Sequence, residues 1–178
     1  NPQHLVSGLQ WGLDHWIYIA HGDSPDRIVS SRTGQALNMN GRDLRIRPDT
    51  GAMDPQSGQT QFGRNRDDWG QWFGCDNSRA GWHYALQDHY IRRNPHVAPP
   101  NAKAFLPEIA VAGPVFPASR TLSRFNDYDR ANRFTSACGL MNYRDTLLGE
   151  AFHGNAFVCE PVHNLVSRMI LDSHGTTF

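Results

Sequence analysis

Gly12-Leu13-Asp14-His15-Trp16-Ile17-Tyr18-Ile19-Ala20-His21-Gly22-Asp23-Ser24 has a counterpart downstream in Arg66-Asp67-Asp68-Trp69-Gly70-Gln71-Trp72-Phe73-Gly74-Cys75-Asp76-Asn77-Ser78. Each opens on a polar or acidic turn, runs through Trp into a short apolar and aromatic stretch, and closes on Asp with a small polar residue. The two terminal acids lie 76 − 23 = 53 residues apart, near the upper end of the roughly 40–50 residues of a propeller blade. Gly154-Asn155-Ala156-Phe157-Val158-Cys159-Glu160-Pro161 repeats the turn, the apolar run and the acid. A sheet-forming unit used three times predicts an all-β fold. It is read as about three blades of a larger propeller, because such a ring takes 4–8 blades to close. A β-sandwich would also give short strands and turns, but not the self-similarity.

The rhythm continues between these stretches. Arg27-Ile28-Val29-Ser30 is short and mixed. Asp43-Leu44-Arg45-Ile46-Arg47 alternates polar and apolar, the period of a half-buried strand. It stops at Pro48-Asp49-Thr50-Gly51, which puts turn formers together. Val162 through Leu171 holds one more apolar run before Asp172-Ser173-His174-Gly175. No long amphipathic helix is predicted. The chain divides into a first blade region over 1–65, a second blade start over 66–89, a Pro-rich insertion over 90–133, and a further blade over 134–178. The insertion holds Pro95, Pro99, Pro100, Pro107, Pro114 and Pro117, more than helices or central strands accept. It is expected to be a long loop crossing one end of the propeller and packed by Phe105, Phe116, Phe125, Tyr128 and Phe134.

Composition agrees. The 178 residues are 39% hydrophobic, with 16 Gly, 11 Pro and 11% aromatics, a turn-rich and strand-rich usage. Net charge is +0, so no global field recruits nucleic acid or an anionic membrane. Lys103 is the sole lysine among 17 basic residues. No apolar run approaches the 18 or so residues of a membrane span, and no signal peptide stands at the start. Both ends read as cut from a longer chain. Cys75, Cys138 and Cys159 make no CxxC, haem or zinc spacing. They are expected as buried free thiols in strands. Trp11, Trp16, Trp69, Trp72 and Trp82 are expected at matched blade positions, packing between sheets, with sugar stacking as the alternative.

The stretch His4-Leu5-Val6-Ser7-Gly8-Leu9-Gln10-Trp11-Gly12-Leu13-Asp14, running into Ile17-Tyr18-Ile19-Ala20-His21-Gly22-Asp23, resembles the pattern of soluble glucose/sorbosone dehydrogenases. Those are six-bladed propellers that bind pyrroloquinoline quinone (PQQ) and calcium. Asp49-Thr50-Gly51, Ser57 through Arg64, Phe134-Thr135-Ser136-Ala137-Cys138-Gly139 and Glu160 through Val166 look like a closer family, the membrane-bound dehydrogenases of planctomycetes and verrucomicrobia. The resemblance covers nearly the whole chain. It implies an extracytoplasmic (periplasmic or cell-surface) quinoprotein that oxidises a sugar or alcohol. Electrons would pass to a cytochrome c domain, with haem c outside this chain.

The resemblance also implies site residues. Oxidising an alcohol needs a base for the hydroxyl proton and a hydride acceptor. His4 matches the family's base and Asp23 the acid that orients it. The competing reading makes His4 a surface residue and Asp23 a turn cap. The family's quinone-clamping Arg-Asn pair falls on Thr60 and Gln61 here, with Arg64 and Asn65 close by as displaced substitutes. Asp76-Asn77-Ser78 matches the strand end that holds calcium in the family, or else forms an Asx-turn. Glu160, His163 and Asn164 place an acid, an imidazole and an amide at a strand end. They are read either as cofactor-binding at the channel rim or as an inter-blade hydrogen-bond cluster. The alternative to an enzyme is a non-catalytic carbohydrate- or protein-binding platform at the cell surface.

Overall fold

The computed structural model describes residues 5–22, 27–106, 115–118 and 133–178. The fold is all-β, with 13 strands in antiparallel sheets among the described residues. The first sheet has the order β1 (Ser7–Trp11), β2 (Ile17–Ala20), β5 (Asp43–Ile46), β6 (Met53–Gln56). A separate hairpin, β3 (Arg27–Val29) with β4 (Ala36–Asn38), is inserted between β2 and β5. The second sheet is a plain meander of β7 (Arg64–Arg66), β8 (Trp72–Asp76), β9 (Arg79–Tyr84) and β10 (Lys103–Phe105). The third comprises β11 (Cys138–Asn142), β12 (Ala156–Glu160) and β13 (Leu165–Met169). The one α-helix among the described residues, α1, spans Asp88–Arg92. No helix among these residues is long and apolar enough to cross a membrane.

The three repeated stretches become β2, β8 and β12, each the second strand of its own sheet. The alignment shifts, however. The tight turns before β2 and β8 close through Gly12 N to Trp16 O at 2.8 Å and Asp67 N to Gln71 O at 3.1 Å. Ile17 therefore corresponds to Trp72, a repeat of 72 − 17 = 55 residues. The tryptophans consequently do not occupy matched positions: Trp16 corresponds to Gln71. In both turns an aspartate side chain takes the second N–H on: Asp14 from Trp16 at 3.3 Å, Asp67 from Trp69 at 2.9 Å. The third turn is longer, Tyr143 to Asn155, tied by Tyr143 N to Asn155 O at 2.9 Å.

The second sheet is the middle layer and is buried on both faces. Trp72, Trp82 and Tyr84 face Tyr18 of the first sheet, while Phe73, Cys75 and Ala80 pack with Leu140 and Val158 of the third. That double burial is why β8 reads as a nearly unbroken apolar run. The outer side of the first sheet buries Ile19 and Leu44 with Met39, and the β3–β4 hairpin adds Ile28 and Leu37. Pro55 sits in β6, an edge strand, where its missing N–H leaves no ladder bond unmade. β7 lies against both β1 and β11. The approach of β1 to the chain entering β7 is close enough that a Cβ on Gly8, at φ +61°, would overlap the Cα of Gly63. Asn65 Oδ1 accepts Asn142 N at 2.9 Å, fastening β7 to β11.

Three expectations need correction. The Pro-rich stretch is not loop throughout, since it contributes β10, whose Lys103, Ala104 and Phe105 pair with Tyr84, His83 and Trp82. Its prolines flank that strand instead of entering it. Residues 107–114 and 119–132 lie outside the described residues. Only Cys75 is a buried thiol; Cys138 is half-buried and Cys159 exposed. Trp11 and Trp69 are exposed, Trp69 by 76%, whereas Trp72 and Trp82 are buried as expected.

Candidate functional site

The junction of the first two sheets is built on Asp43, at the start of β5 and fully buried. A buried carboxylate must be surrounded by donors, and Asp43 is. Oδ1 accepts Thr60 N at 2.9 Å and His21 N at 3.2 Å. Oδ2 accepts Thr60 Oγ1 at 2.5 Å and Tyr84 OH at 3.2 Å, with Arg64 Nη1 at 3.3 Å. Arg64 Nη1 also donates to Ser57 O at 2.9 Å, and the guanidinium lies 4.1 Å from the centre of the Tyr84 ring. Burial, reinforced by the Asp43 charge, pushes the Tyr84 phenol far up, so it stays protonated and donates. Gly74 is required beside this cluster, because a Cβ there would come within 2.8 Å of Thr60 Oγ1.

In front of that wall opens a cleft of about 600 Å³, within the usual range for small-molecule sites. Tyr18 and Trp72 pack at 4.1 Å between ring centres on its floor. Trp69, from the turn before β8, projects at its edge. Gln56, Gln71 and Gln87 bring planar amides, and Arg45, Arg64, Asp14 and Asp88 bring charge. The charges are compensated in place. Arg45 Nη1 donates to Asp14 Oδ2 at 2.8 Å and to Tyr18 OH at 3.1 Å, and Arg45 pairs with Asp54 at 2.8 Å. Asp88 pairs with Arg42 and Arg92. Burial raises the Tyr18 phenol above its ordinary value, and Asp14 adds to the rise against the lowering influence of Arg45. The cleft is thus polar, aromatic and without a dominant sign of charge.

His83 also lines the cleft. Its Nδ1 lies 3.0 Å from Thr177 Oγ1, and its ring packs on Phe73 and Phe178 at 5.1 and 5.2 Å. Burial pushes its pKa below 6.5, and Asp67 opposes this only in part. The native state therefore favours the neutral imidazole. The stability this contributes is complete above the unfolded value near 6.5 and is lost as pH falls toward and through the lower folded value. Urea midpoints measured from pH 7.5 down to pH 5 are expected to drop, and His83→Gln is expected to flatten that drop.

A second buried group lies in the third sheet. Glu160 Oε2 accepts Thr135 N at 3.1 Å and Ser136 N at 2.9 Å, and Oε1 lies 3.2 Å from His163 Nδ1. Both side chains are almost completely buried. His163 Nε2 has no partner among the described residues. Pro161 opens the 3-10 turn Pro161–His163 that turns His163 inward, but Asn164 closes it at φ 53° and stays exposed. Thr135 and Ser136 lead directly into β11, so the cluster braces one sheet and does not bridge two.

The remaining expected site residues are dispersed. His4 and Asp23 lie outside the described residues. Arg64 and Asn65 sit together at the start of β7, yet Arg64 serves Asp43 and Ser57 while Asn65 serves Asn142. Asp76 Oδ1 accepts Ser78 N and Arg79 N, each at 2.9 Å, and Oδ2 takes the Arg79 guanidinium at 2.6 Å. This is the Asx-turn alternative. Arg79 and Lys103 line the same polar hollow of about 420 Å³ as Asp76, Asn77 and Ser78. A hollow with two cations and one already paired carboxylate does not fit calcium, which takes 6–8 oxygens. Among the described residues no group of three or more His, Cys, Asp or Glu could hold a metal. Sequence reasoning missed Asp43 and Tyr84, whose surroundings come from chain segments up to 41 residues apart.

No curated protein and no solved structure matches the chain. One family model does, over residues 1–178, and its description is a domain of unknown function, DUF7133. The chain belongs, along its whole length, to the DUF7133 family.

Proposed function

We propose that the three sheets are successive blades of a β-propeller and that the cleft between the first two binds a neutral carbohydrate. Support for the blades comes from topology. Each sheet is an antiparallel unit whose first strand, β1, β7 or β11, lies next to that of its neighbour. Leu9 and Trp11 in β1, Leu5 and Leu13 flanking it, and Val166 and Ile170 around β13 remain exposed at the two outer members. Further blades would cover such faces.

The observation that carries the ligand class is Trp69, exposed beside a cleft whose charges are already paired. A sugar offers an apolar C–H face to an aromatic ring and hydroxyls to planar amides, guanidinium and carboxylate groups. Trp69, Gln71, Gln87, Arg45 and Asp14 supply that set. Because Trp69 is 76% exposed, Trp69→Ala is expected to leave folding unchanged and to weaken saccharide binding about tenfold, the equivalent of ~1.4 kcal/mol. Calorimetric titration of both proteins with neutral hexoses and short oligosaccharides tests this. Wild-type protein that binds none of them, or a variant that binds as well, would reject the assignment.

A second reading, sugar or alcohol oxidation with PQQ and calcium and an outside cytochrome acceptor, is favoured by the His4–Asp23 motif. Of the residues assigned to the quinone, Arg64, Asn65 and Glu160 are committed to other contacts, and Asp76–Ser78 does not fit calcium. Adding PQQ and calcium to the full-length protein, with a redox dye and a sugar, separates the two. Saturable binding without dye reduction supports the platform; reduction that disappears in His4→Ala supports oxidation.

A further inference from the structure

We propose that Cys138 and Cys159 are a thiol pair that closes reversibly into a cross-strand disulfide. The two residues are register partners in adjacent antiparallel strands, β11 and β12. Directly opposed residues in such a pair have Cα atoms about 4.5 or 5.5 Å apart, and both separations fall in the range a disulfide bridges. Register partners also share a face of the sheet. Along β12 the burial alternates: Ala156, Val158 and Glu160 are buried, while Cys159 is exposed. The sulfur pair is therefore on the solvent side, open to a small oxidant.

Cys75 provides the internal contrast. It is fully buried, its Sγ contacts Phe62 O at 3.9 Å, and burial pushes its thiol up to about 12. It has no cysteine opposite it and no route to a reagent. Cys138 titrates above its ordinary value through burial and through the neighbouring Cys159 and Glu160. The exposed Cys159 is accordingly the attacking sulfur. In the first step the Cys159 thiolate attacks oxidised glutathione and releases one glutathione thiolate, leaving a mixed disulfide. In the second the Cys138 thiolate attacks Cys159 Sγ and expels the other glutathione. Two thiols are oxidised, one glutathione disulfide is reduced, and the two cysteine protons pass to the two glutathione thiolates. The closed bond would clamp the hairpin next to Glu160, whose carboxylate holds the Thr135–Ser136 segment and His163.

Native protein incubated with oxidised glutathione, then denatured and alkylated without reductant, reads the outcome by intact mass. One alkyl group, located on Cys75, is the expected result. Three alkyl groups, or a stable glutathione adduct on Cys159, would overturn the proposal. Oxidation is also expected to raise the melting temperature by roughly 5–10 °C, since the bond restricts the unfolded chain. Dithiothreitol should reverse the rise, and Cys159→Ser should abolish it while folding normally in reducing buffer. A rise that persists in that variant would contradict the assignment to this pair.

Discussion

Asp43→Ala is expected to be the most destabilising single substitution at the junction of the first two sheets, costing about 3–5 kcal/mol, the usual loss when one member of a buried ion pair is removed. Asp43 takes hydrogen bonds from His21 N, Thr60 N, Thr60 Oγ1 and Tyr84 OH, and faces the Arg64 guanidinium. Alanine strands all of these in a site that water does not reach. The Arg64 side chain is only 4% exposed, so its charge has no alternative solvent. Asp43→Asn should cost less than alanine. One oxygen continues to serve His21 N and Thr60 N, while the new NH₂ faces donors on the other side. Chemical denaturation of both variants, with Arg64→Met and the double variant completing a cycle, checks the assignment. The double variant is expected to recover part of the loss, because removing Arg64 relieves the unpaired charge. Strict additivity would show that Asp43 and Arg64 are not coupled.

Glu160→Ala is expected to cost about 3 kcal/mol by the same physics in the third sheet. It removes the acceptor for Thr135 N and Ser136 N and the partner of His163 Nδ1. Each buried donor left without its acceptor costs on the order of 1–3 kcal/mol. Glu160→Gln keeps one oxygen as acceptor and should lose roughly half as much. The loss should be local, with faster amide exchange at Thr135, Ser136 and β11. An alanine variant as stable as the wild type would mean that the segment finds other acceptors.

The strands were legible in the sequence because their burial is periodic. Asp43 to Ile46 alternates and forms β5. The apolar run from Trp72 is β8, buried on both faces. Its counterparts at Ile17 and Ala156 take the same place in their sheets. The 53-residue spacing counted between Asp23 and Asp76 falls two residues short of the structural repeat. The turns, closed by Gly12–Trp16 and Asp67–Gln71, fix the true correspondence, and backbone hydrogen bonds leave no mark on residue identity. Strand β10 was hidden for a related reason. Its three residues lie between prolines, and only pairing with β9 makes them a strand.

The cleft was less legible than the fold. Trp69 and Trp72 stand three residues apart in one repeat, yet one is exposed at the cleft and the other buried in its floor. Alternation along a turn does not follow the period of a strand. Asp43 looked like the polar edge of a half-buried strand, but it is the centre of a network with His21, Thr60, Arg64 and Tyr84. The Cys138–Cys159 pairing depends on a bulge in β11, where Gly139 takes φ 64°. Glu160 and His163 were found together because they are local, three residues apart across a 3-10 turn.

Hydrogen exchange with and without a saturating neutral saccharide, read by mass spectrometry over the whole chain, tests the central assignment most directly. Occupancy of the cleft is expected to slow exchange in the turn 67–71 and in the segment 85–89, with β13 unchanged. Protection confined to the third sheet, or bound saccharide with no protection at either cleft segment, would place the ligand elsewhere and contradict the account.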